Sequence, residues 1–357
     1  MKQFLALTLT AVTLGGLFTG CSGTASRPGG EPGGKGEVNV FNWGEYIDES
    51  LLETFEEQTG IKVNYKTFPD NETLYSTLQS SMGEYDVIIP SDYMIARMID
   101  EEMLERIDLN NIPNYEKISD SYKHLDYDPG NEYSVPYTWG TVGLIYNTTM
   151  VSEAPTSWKA LWDEQYKGQI LMFDNSRDCI GIALKVLGYS FNTTDEAQIK
   201  EAVDLLIEQA PLVQAYVMDQ IFDKLEVGEA AMGPYYAGDA ITMMESNPDL
   251  AFVLPEEGAN LFVDAMCIPK GAPNKENAEA FINFMCSDEA AVANCEYIGY
   301  STPSDSAREK LEPELAQNPI AYPDEETLSR CETFINLPEE ILKLYDSEWL
   351  RLKGAGG

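Results

Sequence analysis

Glu37–Tyr46 reads EVNVFNWGEY and opens the folded part of the chain. Val38 and Val40 alternate with polar residues at the period of a short strand. The strand runs directly into a polar, aromatic turn carrying Trp43, Gly44 and Tyr46. In α/β proteins ligands gather at the carboxyl ends of strands, which places this turn where a binding site is expected. Two large aromatics there are either a ligand wall or ordinary core, and the choice between the two decides the function.

The residues before this stretch give an address. Residues 1–20 carry one early cation, Lys2, and then an apolar run from Phe4 to Leu17 that ends in small residues. That pattern reads as a secretory signal peptide, because the run is too short to cross a bilayer. It ends LFTG and is followed at once by Cys21, an arrangement that resembles a bacterial lipobox. Cleavage before Cys21 and lipidation of its thiol are expected; the plainer alternative is a soluble secreted protein with an incidental cysteine. Residues 21–36, rich in Gly, Pro and Ser, cannot bury enough apolar surface to fold and read as a flexible tether. No later stretch is apolar for long enough to span a membrane. The expected location is extracytoplasmic, lipid-anchored to a bacterial cell membrane.

Cys179, Cys267, Cys286, Cys295 and Cys331 remain, an odd number outside the cell that leaves at least one unpaired. Pairing of Cys286 with Cys295 stays open beside a reading of all five as small buried apolar residues. No CxxC is present, so neither a redox pair nor a zinc knuckle is indicated, and no metal or cofactor is expected.

The formal charge is −37, and loss of Lys2 on cleavage takes it to −38. A field of that sign repels nucleic acid and attracts cations. Acidity also simply keeps a surface protein soluble, so charge alone does not choose a ligand. A body of about 320 residues exceeds one ordinary domain and suggests two lobes.

Strand patterns fall at 61–65, 85–90, 141–147, 169–173, 230–234, 251–254 and 265–269, and helical ones at 50–59, 71–82, 194–209, 237–245 and 274–285. The first helix has Asp48 as its expected N-cap and Gly60 just past its end, and Asp70 caps the second. The alternation argues for an α/β fold with largely parallel sheets between helices.

Enzymatic signatures are missing. The single histidine, His124, lies in a polar loop, and neither a GxSxG elbow nor a phosphate-binding glycine loop is present. Paired carboxylates can be found almost anywhere in so acidic a chain and carry little weight. Binding is therefore expected rather than catalysis. A site for a small organic cation needs carboxylates to pair its ammonium groups and flat aromatic walls for its methylenes. Each aromatic face adds roughly 0.5–2 kcal/mol of cation–π attraction. Candidates follow the strand patterns: Ser91 and Tyr93 after YDVIIP, Trp139 after VPYTWG, Asn175 and Asp178 after QILMF, Tyr235 and Tyr236 after AAMGP, Phe262 and Asp264 in NLFVDAMCIP, and Tyr300 in YIGYSTP. Taken singly, each aromatic could be core and each acid a solvated charge. Asp264 differs, because it lies between Val263 and Ala265, where an unpaired charge is costly and a partner is required.

The stretches FNWGEY, TGIKVNY, NETLYSTL, YDVIIPSDY, SVPYTWGT, WKALWDEQYKGQI, LGYSFNTTD, FVDAMCIPKGAPNKENAEAFINF, IGYSTPS and YPDEET stand in order along nearly the whole mature body. In these the chain resembles the spermidine/putrescine-binding proteins of polyamine ABC importers. The resemblance implies a type II periplasmic-binding-protein-like fold of two lobes, with a ligand cleft between them and several crossovers. Lobe one would comprise 37–141 and 264–306, and lobe two 142–263 and 307–357. Ligand would hold the lobes closed by hinge motion, and a membrane permease with its ATPase would receive the loaded monomer.

Carried over by position, Trp43 and Tyr46 correspond to cleft aromatics, Ser91 and Tyr93 to a polar–aromatic pair, and Tyr300 to a contact near the hinge. Asp178 and Asp264 correspond to amine-binding acids. Trp43, Tyr93, Tyr236 and Phe262 would form the box, with Tyr46, Ser91 and Tyr300 orienting the acids. The chain departs from the family pattern at four places. Asn175 stands where a second acid is expected, Tyr236 and Phe262 where tryptophans are common, and no amide matches a ligand-contacting glutamine near Phe334. The missing acid leaves the choice between putrescine and spermidine open. Rival readings are another organic cation on the same scaffold (thiamine-like or a quaternary amine), a secreted glycan-acting enzyme, and a sensor or adhesin.

Overall fold

Asp86 and Asp128, two buried carboxylates, show how the chain locks its framework. The structure, a computed structural model, describes residues 36–355. The expected signal peptide, Cys21 and nearly all of the expected tether lie outside the described residues. Among the described residues nine strands form: β1 (Glu37–Trp43), β2 (Lys62–Phe68), β3 (Val87–Ile88), β4 (Ser134–Asn147), β5 (Ile170–Phe173), β6 (Val213–Val217), β7 (Met232–Tyr236), β8 (Leu250–Val253) and β9 (Leu261–Cys267). They lie in the order β2-β1-β3-β9-β4-β7-β5-β6, with β8 also paired to β4. Helices α1 (Ser50–Thr59), α2 (Asn71–Ser80), α3 (Asp92–Asp100), α4 (Ser176–Val186), α5 (Glu196–Gln209), α6 (Gln220–Glu226), α7 (Ala237–Ser246), α8 (Lys275–Met285) and α9 (Asp288–Ile298) pack around the strands, and a C-terminal helix, Glu339–Ala355, packs on α4 and α5.

The α/β class expected from the sequence holds, but the sheet is mixed rather than largely parallel. β1–β2, β1–β3, β5–β6 and β5–β7 are parallel. β3–β9, β4–β7, β4–β8 and β4–β9 are antiparallel. The reason lies in β4, whose fourteen residues are all buried. Its first half, Ser134–Thr141, runs against β9, and its second half, from Val142, runs against β7 and then also β8. Strand–helix alternation gives no direction to a strand that crosses between two halves of a sheet.

The patterns at VPYTWG and 141–147 are parts of this one strand. Its register shifts between Pro136 and Thr138, beside a proline that has no N–H to give to the ladder. β6 carries no clean alternation, because most of its residues are partly exposed, and the sequence did not announce it.

Local signals place most helix ends. Gly60 closes α1 in the left-handed region at φ 72°, and Asp70 accepts from the Thr73 N–H at 2.7 Å to open α2. Asp48 is not the cap of α1. That position falls on Glu49, and the Asp48 carboxylate instead accepts from Ser50 N–H at 3.0 Å, one residue early. Phe55 meets Phe281 and Phe284 at ring separations of 5.3 and 5.5 Å, joining α1 to α8. Cys179, Cys267, Cys286 and Cys295 are buried free thiols, and Cys331 is a partly buried one, so no disulfide joins Cys286 to Cys295. His124 is exposed.

Asp128 accepts from the N–H groups of Glu132, Tyr133 and Ser134 and from the Ser134 hydroxyl, fixing the start of β4. Asp86 is fully buried and accepts from the backbone and side-chain amides of both Asn39 and Asn274, which ties β1 to the start of α8. Asp86→Ala strips four donors of their acceptor at once, and unmatched buried donors are costly. Chemical denaturation of that variant should show a loss of about 3 kcal/mol. A wild-type midpoint would show that this junction contributes little.

Candidate functional site

The turn after β1 is shaped by what stands opposite it. Gly44 lets the turn approach Asp219 closely, since a Cβ on it would come within 2.4 Å of Asp219 Oδ2 and the exposed carboxylate would have to move. Glu45 takes a left-handed φ of 48°, and Tyr46 is buried beyond it. Trp43 tilts against Phe68 at 4.8 Å and donates its indole N–H to Ile89 O at 2.8 Å. The Tyr46 hydroxyl donates to Asp264 Oδ2 at 2.6 Å and also meets Thr138 Oγ1, and its ring meets Tyr300 edge-on at 4.8 Å.

Other strand ends converge on the same place. After β3, Ser91 exchanges hydrogen bonds with the Asn71 amide at 3.1 Å, and Tyr93 donates its hydroxyl to Glu72 Oε1 at 3.0 Å. Asp92 accepts from Tyr93 N–H and Val263 N–H. After β5, Asn175 caps α4 by accepting from Asp178 N–H at 2.8 Å. At the end of β7, Tyr236 donates to Asp178 Oδ2 at 3.2 Å and meets the Phe262 ring edge-on at 5.6 Å, while Tyr235 donates to Asp219. Tyr300 donates to Asp239 Oδ2 at 3.0 Å. Together these residues line one cleft of about 700 Å³, its open mouth included.

The cleft is anionic without a matching cation. Asp70, Glu72, Asp92, Asp178, Asp219, Asp239 and Asp264 line it, and among the described lining residues there is no Lys, Arg or His. Burial therefore raises the carboxyls: Asp264 and Asp178 to about 6, Glu72 to about 7, Asp92 to about 8, and Asp239 well above its ordinary value. Hydrogen bonds from Tyr46 to Asp264 and from Tyr236 to Asp178 pull in the opposite direction and do not offset burial.

Arg177, only 2 % exposed, lies behind the wall with its guanidinium 4.9 Å from the Tyr93 ring centre and 4.6 Å from that of Phe334. Its charge favours the ionised forms of Glu72, Asp92 and Asp178. Asp264, 4 % exposed, uses one carboxylate oxygen for Tyr46; the other, Oδ1, is buried with no donor in full hydrogen-bonding geometry, the Ser91 hydroxyl being near enough only to favour the ionised form. A buried carboxylate oxygen without a donor is expensive, and a ligand N–H arriving through the cleft would satisfy it.

Of the twelve candidates read from the sequence, eleven line this cleft: Trp43, Tyr46, Ser91, Tyr93, Asn175, Asp178, Tyr235, Tyr236, Phe262, Asp264 and Tyr300. Trp139 does not; its indole donates to Thr302 O, and its ring packs against Tyr122 and Tyr322. The sequence reading missed Glu72, Asp92, Asp219 and Asp239. Only Asp92, beside Tyr93 and after a strand, carried a local signal. At the position near Phe334 where an amide was sought, Phe334 itself lines the cleft.

Residues 50–323 match the family described as bacterial extracellular solute-binding protein. The spermidine/putrescine-binding periplasmic protein of Escherichia coli (strain K12) is 37% identical over 315 residues, which cover 88% of this chain and 90% of that protein. Among solved structures, a putative spermidine/putrescine ABC transporter from Listeria monocytogenes superposes with a TM-score of 0.86 at 39% identity, covering 89% of this chain and 98% of the other. The Tp0655 lipoprotein of Treponema pallidum superposes with a TM-score of 0.80 at 27% identity, covering 88% and 99%. The relatives are solute-binding proteins of transporters and not enzymes.

The raised carboxyls fix a sign for pH dependence. Their native pKa values lie above the unfolded values near 4, so the ligand-free native state binds more protons than the unfolded chain between about pH 4 and pH 8. Stability from these groups is full below that window and is lost as pH rises through it. The ligand-free protein should melt at a higher temperature at pH 5 than at pH 8, and Asp264→Asn should narrow the difference. Equal melting of wild type at both pH values would contradict the burial of ionised acids.

Proposed function

The chain belongs to the bacterial extracellular solute-binding proteins, and on that premise we propose that it captures a polyamine, putrescine or spermidine, and delivers it to an ABC permease. The observation that carries this reading is Asp264, whose Oδ1 meets no donor in full geometry, in an aromatic-walled cleft lined, among the described residues, by seven acids and no base. A neutral or anionic solute would leave those carboxylates uncompensated. A polyamine brings ammonium groups for the acids and methylenes for the rings. The polyamine-binding names of the relatives in Escherichia coli and Listeria monocytogenes agree with this chemistry.

In this reading Asp178 and Asp264 pair the ammonium groups, and Tyr46, Ser91 and Tyr300 hold them in place. Trp43, Tyr93, Tyr236 and Phe262 flank the carbon chain. Residues 37–141 with 264–306 form one lobe, and residues 142–263 with 307–357 the other, so that β4 and β9 carry the chain between them. Capture is closure of the lobes on the ligand, with no chemistry done to it. The closed monomer docks on the permease, whose ATPase drives transport. Lipidation at Cys21 and the tether at 21–36 hold the body at the outer face of the cell membrane, in keeping with the Treponema pallidum relative, which is itself named a lipoprotein.

Calorimetry separates this from other cations. Wild type should bind putrescine or spermidine, and Asp264→Ala should bind neither measurably while keeping a cooperative unfolding transition. Wild-type affinity in that variant would remove Asp264 from the site. Because ammonium pairing requires ionised acids, affinity should also weaken as pH falls from 8 to 5, across values of about 6 for Asp264 and Asp178 and about 7 for Glu72. Affinity that holds or tightens on acidification would overturn the pairing.

A further inference from the structure

Asn260, Phe262 and Asp264 stand at alternate positions along the entry and body of β9, and all three line the cleft, whereas Leu261 and Val263 do not. A strand period of two puts the three side chains on one face. Asn260 is 4 % exposed, and its carboxamide Oδ1 is buried without a hydrogen-bond partner, as Asp264 Oδ1 is.

Its backbone is held on both sides. The Asn260 carbonyl accepts from Val142 N–H at 2.9 Å, and Leu261 N–H donates to the Glu332 carbonyl at 3.0 Å. The residue is bridged to Glu332 where β4 passes into its second half. Strand pairing thus fixes the backbone at the cleft wall, and among the described residues no donor reaches the amide oxygen there.

We infer that Asn260 is a further ligand-contacting residue whose carboxamide oxygen accepts a hydrogen bond from an ammonium N–H of the bound polyamine. This rests on the polyamine reading of the cleft. Four residue steps separate Asn260 from Asp264, about 13 Å along the strand, so the two acceptors serve different parts of a chain-like ligand. Phe262 between them faces the intervening carbons. An amide suits this end of the row. It offers the acceptor an ammonium needs, yet adds no charge to a cleft already holding seven acids, and an empty site costs less with a neutral acceptor than with an ionised one.

The test uses the mature chain with putrescine and spermidine at pH 8, by calorimetry, together with melting of the ligand-free protein. Asn260→Leu keeps much of the volume and removes the acceptor. Affinity for at least one of the two ligands should fall about tenfold or more, while the ligand-free melting temperature holds or rises because an unmatched buried oxygen is gone. Asn260→Asp retains an acceptor and should bind at least as tightly as wild type. Unchanged affinity of Asn260→Leu for both ligands overturns the inference and leaves the polyamine reading standing. Equal loss in the Leu and Asp variants assigns the effect to packing and also overturns it. A wild-type protein that binds neither polyamine overturns both.

Discussion

One strand has to serve two halves of a sheet, and the rest of the molecule is arranged around that requirement. β4 is buried along its whole length, pairs with β9 on one edge in its first half and with β7 on the other edge in its second. Thr138 on β4 stands directly across from Asp264 on β9, and the Tyr46 hydroxyl reaches both. Gly140 leaves room above the strand where a Cβ would press on Phe262 at 3.0 Å and approach Tyr300 at 3.6 Å. The crossing therefore does more than connect. It brings an acid, a hydroxyl and two aromatic rings to the floor of the cleft, on elements whose backbone bonding leaves them little freedom.

The fold carries an electrostatic burden there. Protein interiors tolerate charge when it is paired, and here acids converge from β9, α2, α3, α4 and α7 with no base among the described lining residues. The tyrosines relieve part of the strain. Tyr46, Tyr93, Tyr236 and Tyr300 each lend a hydroxyl to one carboxylate. Arg177 contributes charge from behind the wall, packed against rings rather than occupying the cleft. What these groups leave unsatisfied is stability forgone at the cleft, a cost that functional sites commonly carry.

Much of this was legible in the sequence, and the limits have physical causes. FNWGEY announced a strand end, and Asp264 announced a need for a partner because its neighbours are apolar. Glu72 and Asp239 gave no comparable sign. They sit in the first turns of α2 and α7, where acids are favoured at any helix start, and nothing local marks them as facing a cleft. Asp219 becomes part of the site through Tyr235 and the close approach of Gly44, which are contacts distant in the chain. Strand direction was misjudged for a related reason, since alternation reports which face is buried and not which neighbour a strand will choose. The tyrosine–carboxylate pairings, all between distant segments, exist only once the chain has folded.

Asn175 shows how such a cleft can change its charge. The residue caps α4 through a side-chain oxygen that an aspartate also possesses, in the same geometry and with equal aptitude for a helix start. The exchange of one for the other therefore leaves the helix its cap and alters the field of the cleft by one unit. Few positions in a buried site are so free, because elsewhere the side chain that sets the charge is also needed for packing. A single-atom replacement at this point would keep the helix cap while adding one more buried acid to the electrostatic burden of the cleft.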